Sequence, residues 1–330
     1  MIHSLYRTQD DKLRTELKPD EFATALQDAN GLLWVDFCQT PPEEDAPILL
    51  QTFGFHPLAV DDALQESHVP MVDDWGQFLY IVSHAVVFDV DAQDGEHLDT
   101  LELDVFVGKN YIVTHHDKPI AAVDRVWALC QRDARRLRDG ADHLLYELAD
   151  ALVADYMPVV DEIDEALDRL EDEVFEKPTS ETLERIFQLK RAVLHLRRII
   201  SPQREVLNKL ARDDYPVIDS RDRIYFRDVY DHLVRLYDIV ESLRDLVGGA
   251  LDTYLSVINN RMNEIMRTLT VITTLFMPIS FITGFFGMNF FQPVTPLKVW
   301  TDRPVFMLAL AIVLLTPVGM YMWIRRRGWM

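Results

Sequence analysis

Asp231, Asp238, Asp245 and Asp252 stand seven residues apart with Arg235, Ser242 and Gly249 between them, and the same register runs on through Ser256, Asn259, Asn263, Met266, Thr270, Thr273, Met277, Ser280 and Gly284. Steps of three and four place these residues on one line of an α-helix. Along that line the chemistry changes from carboxylates to amides, then to hydroxyls with methionines between them. Oxygen donors in such a series suit a hydrated cation, because they meet its water shell without forming a tight trap. For the aspartates alone a solvated helix face is the better account. It does not account for hydroxyls that stay in register where the chain loses every charge.

That loss of charge is abrupt. From Thr268 to Leu297 the sequence holds no Asp, Glu, Lys or Arg, and from Pro304 to Ile324 again none. Each run covers the roughly 20 residues a helix needs to cross about 30 Å of hydrocarbon. The connector, residues 291–303, is short, and Pro293 and Pro296 lie within it. The two spans therefore read as an antiparallel hairpin with both long flanks on one side. Arg325, Arg326 and Arg327 follow the second span, and Arg261 and Arg267 precede the first. The positive-inside bias assigns both termini to the cytoplasm. Trp300 and Trp323 fit interfacial anchors. One hairpin cannot enclose a path, so conduction would require several copies around an axis.

The first span continues a much longer element. No proline occurs between Pro216 and Pro278, and residues 221–288 read as a single helix, roughly 100 Å long at about 1.5 Å per residue. Its other face carries Val229, Leu233, Leu236, Val240, Leu243, Val247, Ala250 and Tyr254, a heptad seam for packing on neighbouring helices. Pro278 removes one backbone hydrogen bond within the span and predicts a kink or an exposed carbonyl. Gly284 and Gly287 permit close helix approach.

The chain of 330 residues holds 54 acidic against 33 basic residues, a net charge of −21. That excess opposes a grip on nucleic-acid phosphates. Cys38 and Cys130 are too few for a disulfide framework or a tetrathiolate zinc site. Residues 1–12 are polar, without a signal-peptide pattern. No Gly-x-x-x-x-Gly-Lys-Ser/Thr loop points to nucleotide drive, and no Ser/His/Asp or Cys/His set carries a local catalytic signature, so no enzyme is expected. The run His115-His116-Asp117 reads as a surface turn rather than a metal site.

Upstream, residues 31–37, 77–88, 101–108 and 111–115 read as strands, and 18–28 and 52–65 as short helices, which makes residues 1–120 an α/β domain. Residues 120–140, 142–175 and 180–212 read as charged helices, punctuated by Pro178 and Pro216.

The end of the first span, Gly284-Phe285-Phe286-Gly287-Met288-Asn289-Phe290, preceded by Phe276-Met277-Pro278, resembles the CorA family of divalent-cation transporters, whose first C-terminal span ends in Gly-Met-Asn. The likeness extends through Phe226-Arg227-Asp228-Val229-Tyr230-Asp231-His232, Met262-Asn263-Glu264 and Gln188-Leu189-Lys190-Arg191. The resemblance implies an α+β membrane protein: an N-terminal α/β cytoplasmic domain, a long helical stalk and two C-terminal transmembrane helices, assembled as a homopentameric funnel in the inner membrane. The expected divisions are the α/β domain 1–120, a helical region 121–220, the stalk and first span 221–290, an outer loop 291–303, the second span 304–324 and a basic tail 325–330.

The resemblance also implies roles. Gly287, Met288 and Asn289 form the outer selectivity ring. Asp252, Asn263, Met266, Leu269, Met277, Ser280 and Gly284 line the pore, and counting along the helix adds Thr270 and Thr273. Asp89, Asp150 and Asp228 take the places of carboxylates that bind regulatory Mg²⁺ between neighbouring domains. Mg²⁺ is then both cargo and regulator, Co²⁺ and Ni²⁺ are also carried, and no organic cofactor is needed. Phe286 stands where Tyr is common, and residues 292–298 lack the usual acidic loop. Met288 favours the magnesium branch over a zinc branch with Ile or Val there. Met266, Leu269 and Met277 fit apolar constrictions that block by dewetting, and fit ordinary helix packing as well. The competing readings are a zinc, cobalt or nickel transporter of the same superfamily, and a cytoplasmic scaffold or sensor tethered by the hairpin.

Overall fold

The computed structural model describes residues 1–65, 68–89, 97–288 and 303–327. They form two units, Met1–Tyr254 and Leu255–Met330. In the first unit, seven strands make one sheet: β1 (Ile2–Arg7), β2 (Leu13–Thr15), β3 (Leu32–Cys38), β4 (Met71–Asp74), β5 (Leu79–Asp89), β6 (His97–Val107) and β7 (Tyr111–His116). Their order is β2-β1-β3-β7-β6-β5-β4. Among the described pairs β3 and β7 run parallel and the others antiparallel.

Alternation along the strands makes two buried faces. Leu33, Val35 and Phe37 point to one, where Phe22 and Ala25 of α1 (Pro19–Leu26) and Ala59, Val60 and Ala63 of α3 (Pro57–Gln65) cover them, with α2 (Pro42–Pro47) between. Trp34 points the other way, and its ring meets Trp127 of α4 (Ala121–Arg132) at 4.6 Å. A sheet covered on both faces explains the nearly continuous apolar strands that the sequence shows.

Four of the strands follow the expected segments. β1, β2 and β4 were not anticipated. Ile2–Arg7 lacks clean alternation, and its strand conformation comes from six cross-strand partners on β3. The expected helix 142–175 is two helices, α5 (Ala141–Ala154) and α6 (Tyr156–Glu176). Pro158 supplies the reason. It has no N–H for the carbonyl of Ala154, so the chain restarts with Pro158 in a first turn, where that donor is not needed. Residues 120–140 likewise divide into α4 and a 3₁₀ turn, Ala134–Arg138, whose start is capped by Asp133 accepting from the Arg135 N–H at 3.1 Å.

α7 (Ser180–Arg212) opens on a Thr179 cap and packs over the sheet, where Gln203 donates to the Ser83 hydroxyl at 3.2 Å. α8 (Arg223–Gly287) is one helix of 65 residues and stays helical through Pro278. Its heptad seam from Val229 to Tyr254 is buried at all eight positions. Contacts with α7 fix that seam: Arg204 lies over the Tyr237 ring at 4.6 Å, and Arg197 pairs with Glu241. The Tyr254 hydroxyl reaches the Thr179 carbonyl at 3.1 Å. Burial of a Leu or Val side chain contributes about 1.5–3 kcal/mol, so the seam is the main source of cohesion for this part of α8. The second unit contains the rest of α8 and α9 (Arg303–Arg326).

Candidate ion path and cation sites

Each stripe residue from Asp231 to Gly284 is exposed, whereas the seam on the other side of the helix is buried as far as Tyr254. Asp252, Asn263, Met266, Leu269, Thr270, Thr273, Met277, Ser280 and Gly284 therefore share an uncovered surface of α8. Beyond Tyr254 many apolar side chains of α8 are uncovered too: Leu269 is 55% exposed, Met277 67% and Phe281 74%. Apolar surface of this extent on two helices of spanning length belongs in lipid or against other spans.

The hydroxyls on this helix are oriented by its own backbone. Thr270 donates to the Met266 carbonyl at 2.7 Å and Thr273 to the Leu269 carbonyl at 2.9 Å. With its hydrogen used inside the helix, each oxygen keeps lone pairs and faces outward as an acceptor. That is the polarity a hydrated cation requires, since the ion's waters present hydrogens. Thr274, Thr283 and Thr316 make the same bond off the stripe, so the bond alone does not mark a pore face. Gly287 ends α8 and Met288 follows it; Asn289 and the connector lie outside the described residues.

Asp150 on α5 and Asp228 on α8 lie within electrostatic reach of each other. Gly140, at φ +110°, starts α5 in a conformation that L side chains resist. His143, Tyr146 and Asp150 then share one face of α5. Opposite them, Asp222 bonds His143 at 2.9 Å, and the Tyr225 and Tyr146 rings lie 5.0 Å apart. One turn further along α8 is Asp228. Burial pushes the Asp150 carboxyl above the ordinary aspartate range; His232 pulls it back, and Asp228 adds to the rise. Tyr146 is raised by burial and by both carboxylates. A half-buried carboxyl facing a like charge is a place where a dication would relieve repulsion. Asp89 ends β5, paired in register with His97. Among the described residues, no three His, Cys, Asp or Glu side chains of this chain are arranged to hold a metal ion.

The expected surface turn at His115-His116-Asp117 is corrected. His115 and His116 are the last residues of β7 and are 4% and 2% exposed, because the strand is central in the sheet; only Asp117 is at the surface. The two rings lie on opposite faces. His116 meets Asp36 at 3.2 Å and the Lys118 carbonyl at 2.7 Å. The sequence signal for a buried site was the partner strand, whose Asp36 lies beside Thr114 in register.

An α/β domain joined to two apolar C-terminal helices of spanning length defines a two-span integral membrane protein. The chain matches the CorA-like Mg2+ transporter protein family over residues 29–326. It is 35% identical over 311 residues to the cobalt/magnesium transport protein CorA of Thermotoga maritima, covering 94% of this chain and 87% of that protein. The structure of the complete CorA magnesium transporter from Methanocaldococcus jannaschii superposes with a TM-score of 0.82 at 25% identity, covering 99% of this chain and 98% of that one. The zinc transport protein ZntB of Yersinia enterocolitica is 26% identical over 276 residues, 83% of this chain and 81% of that protein. The chain belongs to the CorA family: it is a divalent-cation transporter and not an enzyme.

Proposed function

We propose that five copies of the chain surround a common axis, with α8 of each facing inward, and conduct hydrated Mg²⁺ into the cytoplasm, Co²⁺ and Ni²⁺ being carried as well. The observation that carries this reading is the uninterrupted exposed line of α8, acidic at Asp252, amide at Asn263 and hydroxyl at Thr270, Thr273 and Ser280. Mg²⁺ sheds water reluctantly, so neutral oxygens that accept hydrogen bonds from its water shell favour passage. Carboxylates deep in the bilayer would cost far more. Five Asn289 amides, with Gly287 and Met288 beside them, form the outer ring, and Met266, Leu269 and Met277 form apolar constrictions.

Both termini lie in the cytoplasm, consistent with Arg325 to Arg327 after the second span. The driving force is the membrane potential, which supplies about 4.6 kcal/mol per dication at 100 mV. Cytoplasmic Mg²⁺ closes the path by bridging Asp150, Asp228 and Asp89 between neighbouring copies. Among the described residues one chain arranges too few ligands for such a site, and a second copy completes it. When the ion leaves, the carboxylates repel and the population shifts towards open forms.

The purified protein in liposomes tests this. Uptake of Mg²⁺ should increase with an inside-negative potential and exceed that of Zn²⁺. Uptake of Zn²⁺ alone would replace this reading with the zinc one, with which the similarity to ZntB is consistent.

A further inference from the structure

His115 is buried on the sheet face that α1, α2 and α3 cover, and the transport chemistry makes no use of it. Asp45 of α2 places Oδ2 3.6 Å from its Nε2, and Asp104 of β6 places Oδ2 3.7 Å from its Nδ1. All three side chains are enclosed, with Asp45 at 0% exposure and Asp104 at 3%. Each carboxylate is held from behind. The Thr40 hydroxyl donates to Asp45 at 2.6 Å and the Tyr80 hydroxyl to Asp104 at 2.7 Å. Nδ1 of His115 and Oδ1 of Asp45 have no hydrogen-bond partner. Both gaps between ring and carboxylate exceed a hydrogen bond by a few tenths of an ångström.

A neutral imidazole has one N–H. It can serve one carboxylate and must turn a lone pair towards the other. An imidazolium donates from both nitrogens, and both bonds are then charge-assisted. Burial raises Asp45 and Asp104 above the ordinary aspartate range, which expresses the cost of two enclosed negative charges. Further charged groups surround the cluster. Glu44 of α2 acts on Asp45, opposed by the Met1 amino group. Asp62 of α3 and Glu102 of β6 act on Tyr80 of β5, and His68 acts on Asp104. Solvent reaches the cluster through a cavity of about 260 Å³ that Glu102, Asp104, His115, Asp117 and Lys118 line.

We propose that Asp45, His115 and Asp104 form a proton-operated latch: a proton taken up by His115 from solvent closes both gaps and fastens α2 to the sheet. Asp45 is the fully buried side chain of α2, so its link to His115 adds to the apolar packing of Ala46, and of Leu49 just beyond the helix, in holding that short helix down. Loss of the proton leaves one carboxylate facing a lone pair and loosens α2, while the sheet beneath is held by its own ladder.

Hydrogen exchange of the full-length protein in detergent tests this at the amides of residues 43–52, with rates corrected for the intrinsic effect of pH. The opening constant there should be about tenfold smaller at pH 6 than at pH 8, the size expected for one charge-assisted bond gained, or about 1.4 kcal/mol. His115→Gln should abolish the difference, because glutamine cannot change charge. Asp45→Asn keeps the ring but removes the carboxylate on α2, and should abolish it as well; it serves if the glutamine variant fails to accumulate. No difference in the wild-type protein, or a difference that survives either substitution, overturns the proposal.

Discussion

The Tyr146 ring on α5 and the Tyr225 ring on α8 lie 5.0 Å apart, and this contact sets the register in which Asp150 comes within electrostatic reach of Asp228. The His143–Asp222 bond one turn earlier reinforces it. An aromatic pair thus brings two carboxylates within reach of each other despite their repulsion, which His232 partly offsets.

Asp228→Ala should weaken inhibition by internal Mg²⁺. The concentration for half-inhibition in loaded liposomes should rise by a factor within the usual range of allosteric coupling, about 5–150-fold. Unchanged sensitivity would remove Asp228 from the regulatory site.

Asn289→Ala should reduce Mg²⁺ uptake by at least about tenfold, corresponding to 1.4 kcal/mol or more, while the protein still inserts and assembles. Size-exclusion chromatography in detergent separates that result from failed assembly. Full uptake by a correctly assembled variant would show that the amide ring does not select the ion.

Thr270 and Thr273 lie on the exposed stripe, whereas Thr274 and Thr316 make the same backbone bond elsewhere. Changing Thr270 and Thr273 together to Val removes two acceptor oxygens with little change in volume. Ion flux should fall several-fold. The paired changes Thr274→Val and Thr316→Val should leave it unaltered. Equal effects from the two pairs would mean that the stripe does not face the ion.

Leu233→Ala opens a cavity in the seam of α8, where the side chain is wholly buried. A loss of about 2–5 kcal/mol is expected. Ile224→Ala, at an exposed site on the same helix, should cost less than about 0.5 kcal/mol. Denaturant unfolding of the detergent-solubilised protein measures both.

Much of the helical part was legible because its signals are local. A seven-residue apolar repeat has one burial solution, and each of its eight positions from Val229 to Tyr254 is buried. Charge-free runs of spanning length likewise identify α9 and the end of α8. The N-terminal sheet was only half legible. β1 and β4 are strands because partners in register supply their hydrogen bonds, and no local pattern announces that.

The amino-acid order by itself determined the two apolar spans, the seam and polar line of α8, and the family motif at its end. These depend on periodicity and composition, which are properties of neighbouring residues. The tertiary structure decided which distant side chains come within reach of each other: Asp150 of Asp228, and His115 between Asp45 and Asp104. Those pairings depend on strand register and helix docking, and both are set by burial summed over the whole domain.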